Sequence, residues 1–290
     1  MPEALELDIG DLTLAALAWG RPDGRPVLAA HGWLDNAATM TELAPRLCAA
    51  LDLRIVCLDL PGHGLSGHKQ GPYHFVDWVA DMLAAADALG WERFSLLGHS
   101  MGAGISTLVA GTAPARIERC VLLEGIGPMT DEPRNAARRL SRSLRVENRK
   151  RDSQKRLFPD PETATARLLE ATKMDRRSAE TLIARGLVEL EGGWTWRADP
   201  RLRIDSRFRF GEEALASFLE AITCPVLVVL ASEGWPHASG IVEGRVGKVA
   251  KGEIVTLTGR HHVHLDDGEA VAAKVIPFFA PLFEGEHAES

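Results

Sequence analysis

The sequence is poor in cysteine and tyrosine and has no long apolar run. It contains four cysteines and one tyrosine in 290 residues, and no two cysteines form a C-x-x-C pair. Isolated cysteines beside strand-like runs are typical of buried apolar positions, which favours a reducing compartment over disulfides. No run reaches membrane-spanning length, and residues 1–4 lack the features of a signal peptide. These absences predict a cytoplasmic protein with no membrane partner.

An excess of positive charge is also missing. The formal net charge is −7, which disfavours nucleic acid as the main partner. The chain is 46% hydrophobic and 25% charged, an ordinary globular composition at a length that one α/β domain often has. The expected partner is therefore a small-molecule substrate, and composition does not predict the oligomeric state.

Apolar strand-like runs alternate with helical patterns along most of the chain. Because such alternation produces a largely parallel sheet covered on both faces, we predict an α/β fold. A hairpin within residues 5–19 and short apolar runs supply the predicted strands, which lie near 27–30, 54–58, 94–97, 120–123, 225–230 and 254–257. Ligands bind beyond the carboxyl ends of such strands. Six polar residues follow these ends: His31, Asp59, Ser100, Glu124, Glu233 and His261.

The alternation stops between residues 127 and 210. This segment follows the strand that ends at Glu124 and predicts a helical cap, which leaves 1–126 and 211–290 as the core domain. A helix is predicted from Asn36 to about Ala50. The tract 192–201, with its two tryptophans, is predicted to be a loop whose aromatic side chains anchor it in the cap.

The motif that organises the chain is Gly98-His99-Ser100-Met101-Gly102. It fits G-x-S-x-G between an apolar strand and a helix, the setting of a nucleophile elbow. So sharp a turn holds its serine in a strained backbone conformation, and side chains at Gly98 or Gly102 would collide with the flanking segments. Ser100 is therefore the predicted nucleophile.

With this motif, the chain resembles the α/β-hydrolases over nearly its full length outside the cap. It is most similar to the serine-hydrolase-like proteins through the segments HGWLDNA, residues 31–37, and DLPGHGLS, residues 59–66. The resemblance implies a mostly parallel eight-stranded sheet with helices on both faces. It implies no metal and no organic cofactor.

A serine hydroxyl needs an adjacent base, and the resemblance selects the run Gly259-Arg260-His261-His262-Val263-His264. In relatives the base lies just beyond the last strand, which favours His261, with His262 and His264 as alternatives. If they are not the base, His262 and His264 are expected to bond to nearby backbone. His31 and His63 are interpreted as structural residues.

The acid of the triad has two candidates. Most relatives carry an Asp in the loop that here reads Ala231-Ser232-Glu233-Gly234-Trp235, and the register puts Gly234 at that position. Some relatives, notably haloalkane dehalogenases, carry the acid one strand earlier, where this chain has Glu124. Because a buried anion there needs a partner such as a histidine N–H, Glu124 is favoured and Glu233 is the alternative.

Backbone amides are the expected oxyanion-hole donors, since fixed dipoles stabilise developing charge without reorganising. The candidates are the N–H groups of Met101 and, by family analogy, Trp33. The Trp33 side chain is a candidate substrate contact. His99 is also assigned to the substrate site and is expected to face inward and brace the elbow.

Ser100 argues against the dehalogenases and epoxide hydrolases of this fold, which use an Asp nucleophile. Epoxide opening there also needs cap tyrosines, whereas Tyr73 lies outside the predicted cap. Hydrolysis of a carboxylic ester, thioester or lactone is therefore the predicted reaction. Hydrolysis of a C–C bond by the same triad and ligand binding without turnover are the alternatives.

The cap contains a basic stretch over residues 134–156, with ten Lys and Arg against Glu147 and Asp152. Its local charge of +8 contrasts with the negative remainder of the chain. Five arginines recur at helical spacing and would share one face: Arg134, Arg138, Arg142, Arg145 and Arg149. Two interpretations stay open, a solvated helix face and a basic rim that attracts anionic substrates.

Overall fold

The computed structural model describes residues 1–150 and 157–283, except for the side chains of residues 148–150. Within these ranges, eight strands form one sheet and two short strands form a separate hairpin. The strands are β1 (Glu3–Asp8), β2 (Thr13–Trp19), β3 (Arg25–Ala30), β4 (Leu53–Leu58), β5 (Phe94–His99), β6 (Ile117–Leu123), β7 (Leu187–Leu190), β8 (Gly193–Trp196), β9 (Val226–Glu233) and β10 (Gly252–Arg260).

Helices connect most of these strands. They are α1 (Ala44–Ala50), α2 (Asp77–Ala88), α3 (Met101–Thr112), α4 (Ala136–Lys150), α5 (Pro161–Thr172), α6 (Arg176–Gly186), α7 (Glu212–Ala221), α8 (Ile241–Val246), α9 (Val263–Asp266) and α10 (Gly268–Phe279).

The large sheet has the order β1-β2-β4-β3-β5-β6-β9-β10. The first two strands pair antiparallel with their neighbours, and all other pairs are parallel. Every residue of the inner strands β4 and β5 is buried. Because both faces of these strands are covered, their sequences are continuous apolar runs rather than alternating ones. The structure confirms the predicted mostly parallel, eight-stranded sheet.

Two hydrophobic layers cover the sheet. One contains α2, α3, α7 and α8 and buries residues such as Met82, Ile105 and Leu219. The other contains α1 and α10 and buries residues such as Leu47 and Val275. The helices therefore lie on both faces of the sheet, as predicted, and the carboxyl ends of its parallel strands remain at one edge for a site.

The helix predicted from Asn36 to Ala50 is interrupted. Asn36 does act as an N-cap, because its side chain accepts a hydrogen bond from the Ala38 amide, but the turn it caps is a 3₁₀ helix over Ala37–Met40. The α-helix proper, α1, begins at Ala44 with Pro45 in its first turn. Because proline lacks an N–H and clashes with the preceding turn, it starts a helix more readily than it continues one.

We call residues 127–210 the cap segment. It contains α4, α5, α6 and the β7–β8 hairpin between the core strand β6 and the core helix α7. The prediction of a loop over 192–201 was wrong, since its first part is strand β8 and Pro200–Arg203 forms a 3₁₀ helix. Trp194 and Trp196 pack against a small core of their own, around Phe158, Ile183 and Leu187. These tertiary contacts, which the local sequence does not reveal, hold the hairpin.

The cap segment is fastened to the core at the loops that follow β3 and β4. The Trp33 indole donates to the Leu202 carbonyl at 3.1 Å, and the Asn36 amide donates to the Leu182 carbonyl at 2.9 Å. The guanidinium of Arg185 on α6 contacts the Asp59 carboxylate at 2.9 Å. The cap segment therefore lies directly over the carboxyl edge of the sheet.

Two arginines of α4 are paired with acids, Arg142 on the predicted basic face and Arg139 beside it. Arg139 bonds to Asp131, and Arg142 lies 3.0 Å from Asp205. Arg149, the last arginine of the predicted face, falls outside the described side chains. Across residues 1–150 and 157–283, no helix is both long and apolar enough to cross a membrane.

We predict that Arg185→Met destabilises the protein by about 3 kcal/mol, because removing one partner of a buried ion pair leaves the other uncompensated. Asp59 is fully buried, and Arg185 contacts both of its carboxylate oxygens. The free energy of unfolding from urea titration measures this loss.

The matched control is Arg167→Met. Arg167 pairs with Glu170 on the exposed surface of α5, where an ion pair contributes at most about 1 kcal/mol. Equal losses in the two variants would contradict a special role for the buried pair.

Candidate active site

Ser100 lies at the turn between β5 and α3. Its backbone has φ 52° and ψ −110°, a conformation that a residue with a side chain rarely adopts. A Cβ at Gly98 would lie 2.4 Å from the Gly102 carbonyl oxygen, and one at Gly102 would lie 2.2 Å from the Ala30 oxygen. The predicted strain and close approach are therefore confirmed, and they fix the Ser100 side chain at the carboxyl edge of the sheet.

The His261 ring lies beside the Ser100 hydroxyl. His261 follows β10 directly, and its Nε2 is 3.0 Å from Ser100 Oγ. His261 Nδ1 is 2.9 Å from Glu124 Oε2. The three residues selected from the sequence thus form a continuous chain of hydrogen bonds from hydroxyl to imidazole to carboxylate, although 161 positions separate the first pair.

The carboxylate of Glu124 is buried and held by three donors. Glu124 follows the last residue of β6, has φ 64°, and is only 3% exposed. Its oxygens accept from the amides of Ala231 and Trp235, the latter at 2.8 Å, and from His261. Burial raises the pKa of Glu124, but these hydrogen bonds outweigh burial and lower the pKa overall, because they favour the charged form. The group is an anion able to orient a histidine ring.

The other acid candidate, Glu233, has an exposed side chain. Its neighbour is Gly234, the position to which the predicted register assigns the Asp of most relatives. A Cβ at Gly234 would lie 2.1 Å from Glu124 Oε2. The Glu124 carboxylate therefore occupies the space that a side chain at residue 234 would need, and the two positions exclude each other sterically.

The alternatives to His261 point elsewhere. His262 Nε2 is 3.3 Å from Asp35 Oδ2, and His264 Nε2 is 2.7 Å from the Thr39 hydroxyl. Both rings are buried, and neither contacts Ser100 in the described structure. The expectation that they bond to nearby backbone was wrong, since their partners are side chains from the loop after β3.

His31 and His63 lie under the site. His31 Nδ1 bonds to the Gly32 carbonyl at 2.7 Å, so the ring accepts at Nε2 from the Leu60 amide. His63 is fully buried and lies 3.2 Å from the Pro61 carbonyl. Burial lowers the pKa of both rings, that of His63 to about 3. Neutral, fully buried rings of this kind brace loops, in line with the structural roles predicted for them.

The two predicted oxyanion donors, the amides of Met101 and Trp33, lie on neighbouring segments of the chain. Met101 is the first residue of α3, and the first amides of a helix lack intrahelical acceptors. The Gly102 amide donates to the His31 carbonyl at 3.1 Å, which ties the elbow to the loop that carries Trp33. The amides of Met101 and Trp33 therefore come from two segments joined directly to each other.

The side chain of His99 does not line the site. It is completely buried, and its Nε2 is 2.9 Å from the His261 carbonyl oxygen. Burial lowers the pKa of His99 to about 4. The predicted bracing role fits this position, but the prediction of a substrate contact was wrong because the ring faces the interior.

Two tryptophans on the loops that follow β3 and β9 are exposed. The Trp33 side chain is 51% exposed, with the Arg203 guanidinium 5.9 Å from its ring centre. Trp235 is 52% exposed, and its ring centre is 5.6 Å from that of His261. Sequence reasoning missed Trp235 as a site residue. The available signal was its position next to Gly234, in the loop that contains the alternative triad acid Glu233.

The sheet order, the elbow and the hydroxyl–imidazole–carboxylate chain define a class of protein. The family described as the alpha/beta hydrolase fold matches residues 25–235. The chain belongs to this family.

Within the family, the chain belongs with the serine-hydrolase-like proteins. It is 31% identical to the serine hydrolase-like protein of Danio rerio over 92% of this chain and 85% of the relative. It is 30% identical to a serine hydrolase-like protein of Dictyostelium discoideum, covering 95% and 81%. These names support hydrolase activity.

Solved structures agree with the fold. A hypothetical protein from Pseudomonas aeruginosa PAO1 superposes with a TM-score of 0.89 at 40% identity, covering 97% of this chain and 99% of that one. The thioesterase domain from the curacin biosynthetic pathway superposes with a TM-score of 0.84 at 26% identity, covering 95% and 99%.

We predict that Gly234→Ala lowers kcat by about 100-fold, because small displacements of catalytic groups have effects of this size. The added Cβ would push the Glu124 carboxylate away from His261. Steady-state kinetics on a substrate that the protein hydrolyses measures the loss. Gly244→Ala is the control, since a Cβ there meets open space.

Moving the acid should then recover activity. In the double variant Glu124→Gly/Gly234→Asp, the space left by the glutamate admits the new aspartate, and kcat should exceed that of Glu124→Gly alone. A double variant no better than the single one would refute the steric exchange between the two positions.

Proposed function

We propose that this protein is a serine hydrolase that cleaves a small carboxylic ester, thioester or lactone through an acyl-enzyme on Ser100. The observation that carries the proposal is the hydrogen-bonded chain of Ser100 Oγ, His261 and Glu124, with distances of 3.0 and 2.9 Å. The similarity to a thioesterase domain supports the acyl class of substrate.

In the proposed mechanism, His261 Nε2 takes the Ser100 proton as the hydroxyl attacks the acyl carbonyl. The imidazolium that forms is stabilised by Glu124, whose carboxylate bonds to Nδ1. The amides of Met101 and Trp33 donate to the developing oxyanion. His261 then protonates the leaving group, and the same ring activates water for deacylation.

The environment of Glu124 supports its role as the triad acid rather than Glu233. Its two backbone donors hold the carboxylate in place while one oxygen faces His261. This arrangement selects the tautomer with a proton on Nδ1, which leaves the Nε2 lone pair directed at Ser100. The exposed Glu233 side chain has no such contact with His261 among the described residues.

Fluorophosphonate labelling with peptide mass mapping tests the nucleophile and separates an enzyme from a ligand-binding protein. We expect one adduct, on Ser100, and its loss in both Ser100→Ala and His261→Ala. We also expect turnover in a panel of p-nitrophenyl esters, acyl thioesters and lactones. Absence of the adduct and of all turnover would refute the proposal, as would turnover only of a C–C bond substrate.

Glu124→Gln should lower kcat by about 10²- to 10⁴-fold, in the range found when a triad acid becomes an amide. The amide N–H₂ group would conflict with the donors that now face the carboxylate. Glu233→Gln is the matched control and should keep wild-type kcat and KM. The reverse pattern on one ester would assign the acid to Glu233.

A further inference from the structure

A buried polar cluster lies beneath the His261 ring, and the proposed reaction uses none of its side chains. We call it the sub-site cluster, and its members are 0–7% exposed: Asp35, His99, His262 and His264. The ring centres of His99 and His261 are 4.9 Å apart, and those of His99 and His264 are 4.1 Å apart. Polar groups in such a place reduce stability unless they are paired, so their contacts indicate what the cluster does.

The cluster holds the peptide that carries the proposed base at two points. The His261 carbonyl oxygen is 2.9 Å from His99 Nε2, and because a carbonyl can only accept, His99 donates from Nε2. The next residue, His262, directs its Nε2 at Asp35 Oδ2 at 3.3 Å. The main chain of His261 and the side chain of His262 are therefore both attached to the cluster.

Asp35 also shapes the loop that carries the proposed oxyanion donor. Its amide donates to the Gly32 carbonyl at 3.1 Å, which closes a turn with Trp33 and Leu34 at its centre. Leu34 has φ 65°, a strained value for a residue with a side chain. The turn is thus held in one conformation by the residue whose carboxylate contacts His262.

Electrostatics favour an ion pair at this contact. Burial lowers the pKa of His262, but the Asp35 charge and hydrogen bond outweigh burial and raise it overall. Burial likewise raises the pKa of Asp35, but the charge and hydrogen bond of His262 outweigh burial and bring the pKa well below its usual value. The Asp35–His262 contact therefore joins a carboxylate anion to the histidine with the highest pKa of the three in the cluster.

We propose that Asp35 is a positioning residue that couples the proposed oxyanion hole to the proposed base. Its main chain fixes the turn bearing the Trp33 amide, and its carboxylate fixes the loop bearing His261. The inference rests on the proposed function, because it assigns Asp35 a role in that same reaction. Asp35 touches neither Ser100 nor, in the proposed reaction, the substrate.

The same atoms could in principle ligate a metal ion. One ligand atom each from Asp35, His99 and His262 lie within 4.8 Å of one another. The backbone of Gly32, however, closes one side of this group, since a Cβ there would lie 2.7 Å from Asp35 Oδ2 and 2.9 Å from His99 Nδ1. A proton between His262 and Asp35 needs no additional space. We therefore assign the contact as an ion pair, and a bound metal ion would be a contrary result of the test.

The test compares Asp35→Asn with Asp81→Asn. Asp81, on α2, is another buried carboxylate, and it pairs with Lys69 rather than with any residue of the triad. On an ester substrate, we expect kcat of Asp35→Asn to fall about 10- to 100-fold with little change in KM, because misplacement affects contacts made in the transition state. Asp81→Asn should keep wild-type kcat and KM.

Inhibition by a phenylboronic acid separates positioning from a loss of folded protein. The boronate adduct on Ser100 resembles the tetrahedral transition state, so its affinity should fall by the same factor as kcat. Loss of folded protein would lower the fraction of chains that react with fluorophosphonate and leave the boronate affinity of the remainder unchanged. That result, or unchanged kcat in Asp35→Asn, would overturn the proposal.

A second pair of variants covers the case in which Asp35→Asn does not fold. His262→Gln keeps a donor toward Asp35, whereas His262→Leu removes it, so kcat should be higher for His262→Gln. Equal kcat values would overturn the proposal. It would also be overturned if the wild-type protein contained about one zinc or nickel ion per chain and His262→Leu lost it.

Failure here differs from failure of the proposed function. If the proposed function is wrong, wild-type Ser100 forms no adduct, or the wild-type protein cleaves none of the esters, thioesters and lactones. If only this inference is wrong, the adduct forms and the esters are cleaved, but the Asp35 and His262 variants do not change kcat as stated.

Discussion

The contact between the Glu124 carboxylate and the His261 ring is the interaction on which the site depends. It joins the end of β6 to the end of β10, with β9 between them in the sheet. The carboxylate can be buried only because two amides and one imidazole donate to it, and an unpaired anion there would be strongly unfavourable. The acid, the glycine that makes room for it and the histidine are thus parts of a single arrangement.

The elbow and the loop after β3 form the other half of this arrangement. Close packing at Gly98 and Gly102 leaves Ser100 one position, and the Gly102 amide bonds to the loop that carries Trp33. The same loop reaches the His261 segment through Asp35 and Thr39. The nucleophile, the oxyanion donors and the base that we propose are therefore connected below the site by direct contacts rather than through the distant core.

The cap segment is attached to the loops at the carboxyl edge of the sheet. Its ties to Trp33, Asn36 and Asp59 all fall on loops at the carboxyl edge of the sheet. Residues of the cap segment therefore influence the same loops that position the candidate oxyanion donors. Trp235 is exposed and its ring borders His261, whereas Trp33 is exposed on the loop that the cap segment contacts.

Much of this protein could be predicted from sequence because local patterns determine it. Continuous apolar runs require strands that are buried on both faces, and G-x-S-x-G between a strand and a helix requires a turn in which only glycine fits beside the serine. The preference for Glu124 over Glu233 came from the family resemblance, since both residues follow strand ends and some relatives carry the acid one strand earlier. The β7–β8 hairpin was not predicted from sequence. Phe158, which pairs with Trp194, is remote in sequence, and Leu187 lies in a segment that was predicted to be a helical cap. Tertiary structure alone decided which side chains hold His262 and His264, because their partners Asp35 and Thr39 are at least 225 positions away in the sequence. It also decided that the Glu124 side chain fills the space beside Gly234, since that exclusion exists only once β6 and β9 lie side by side.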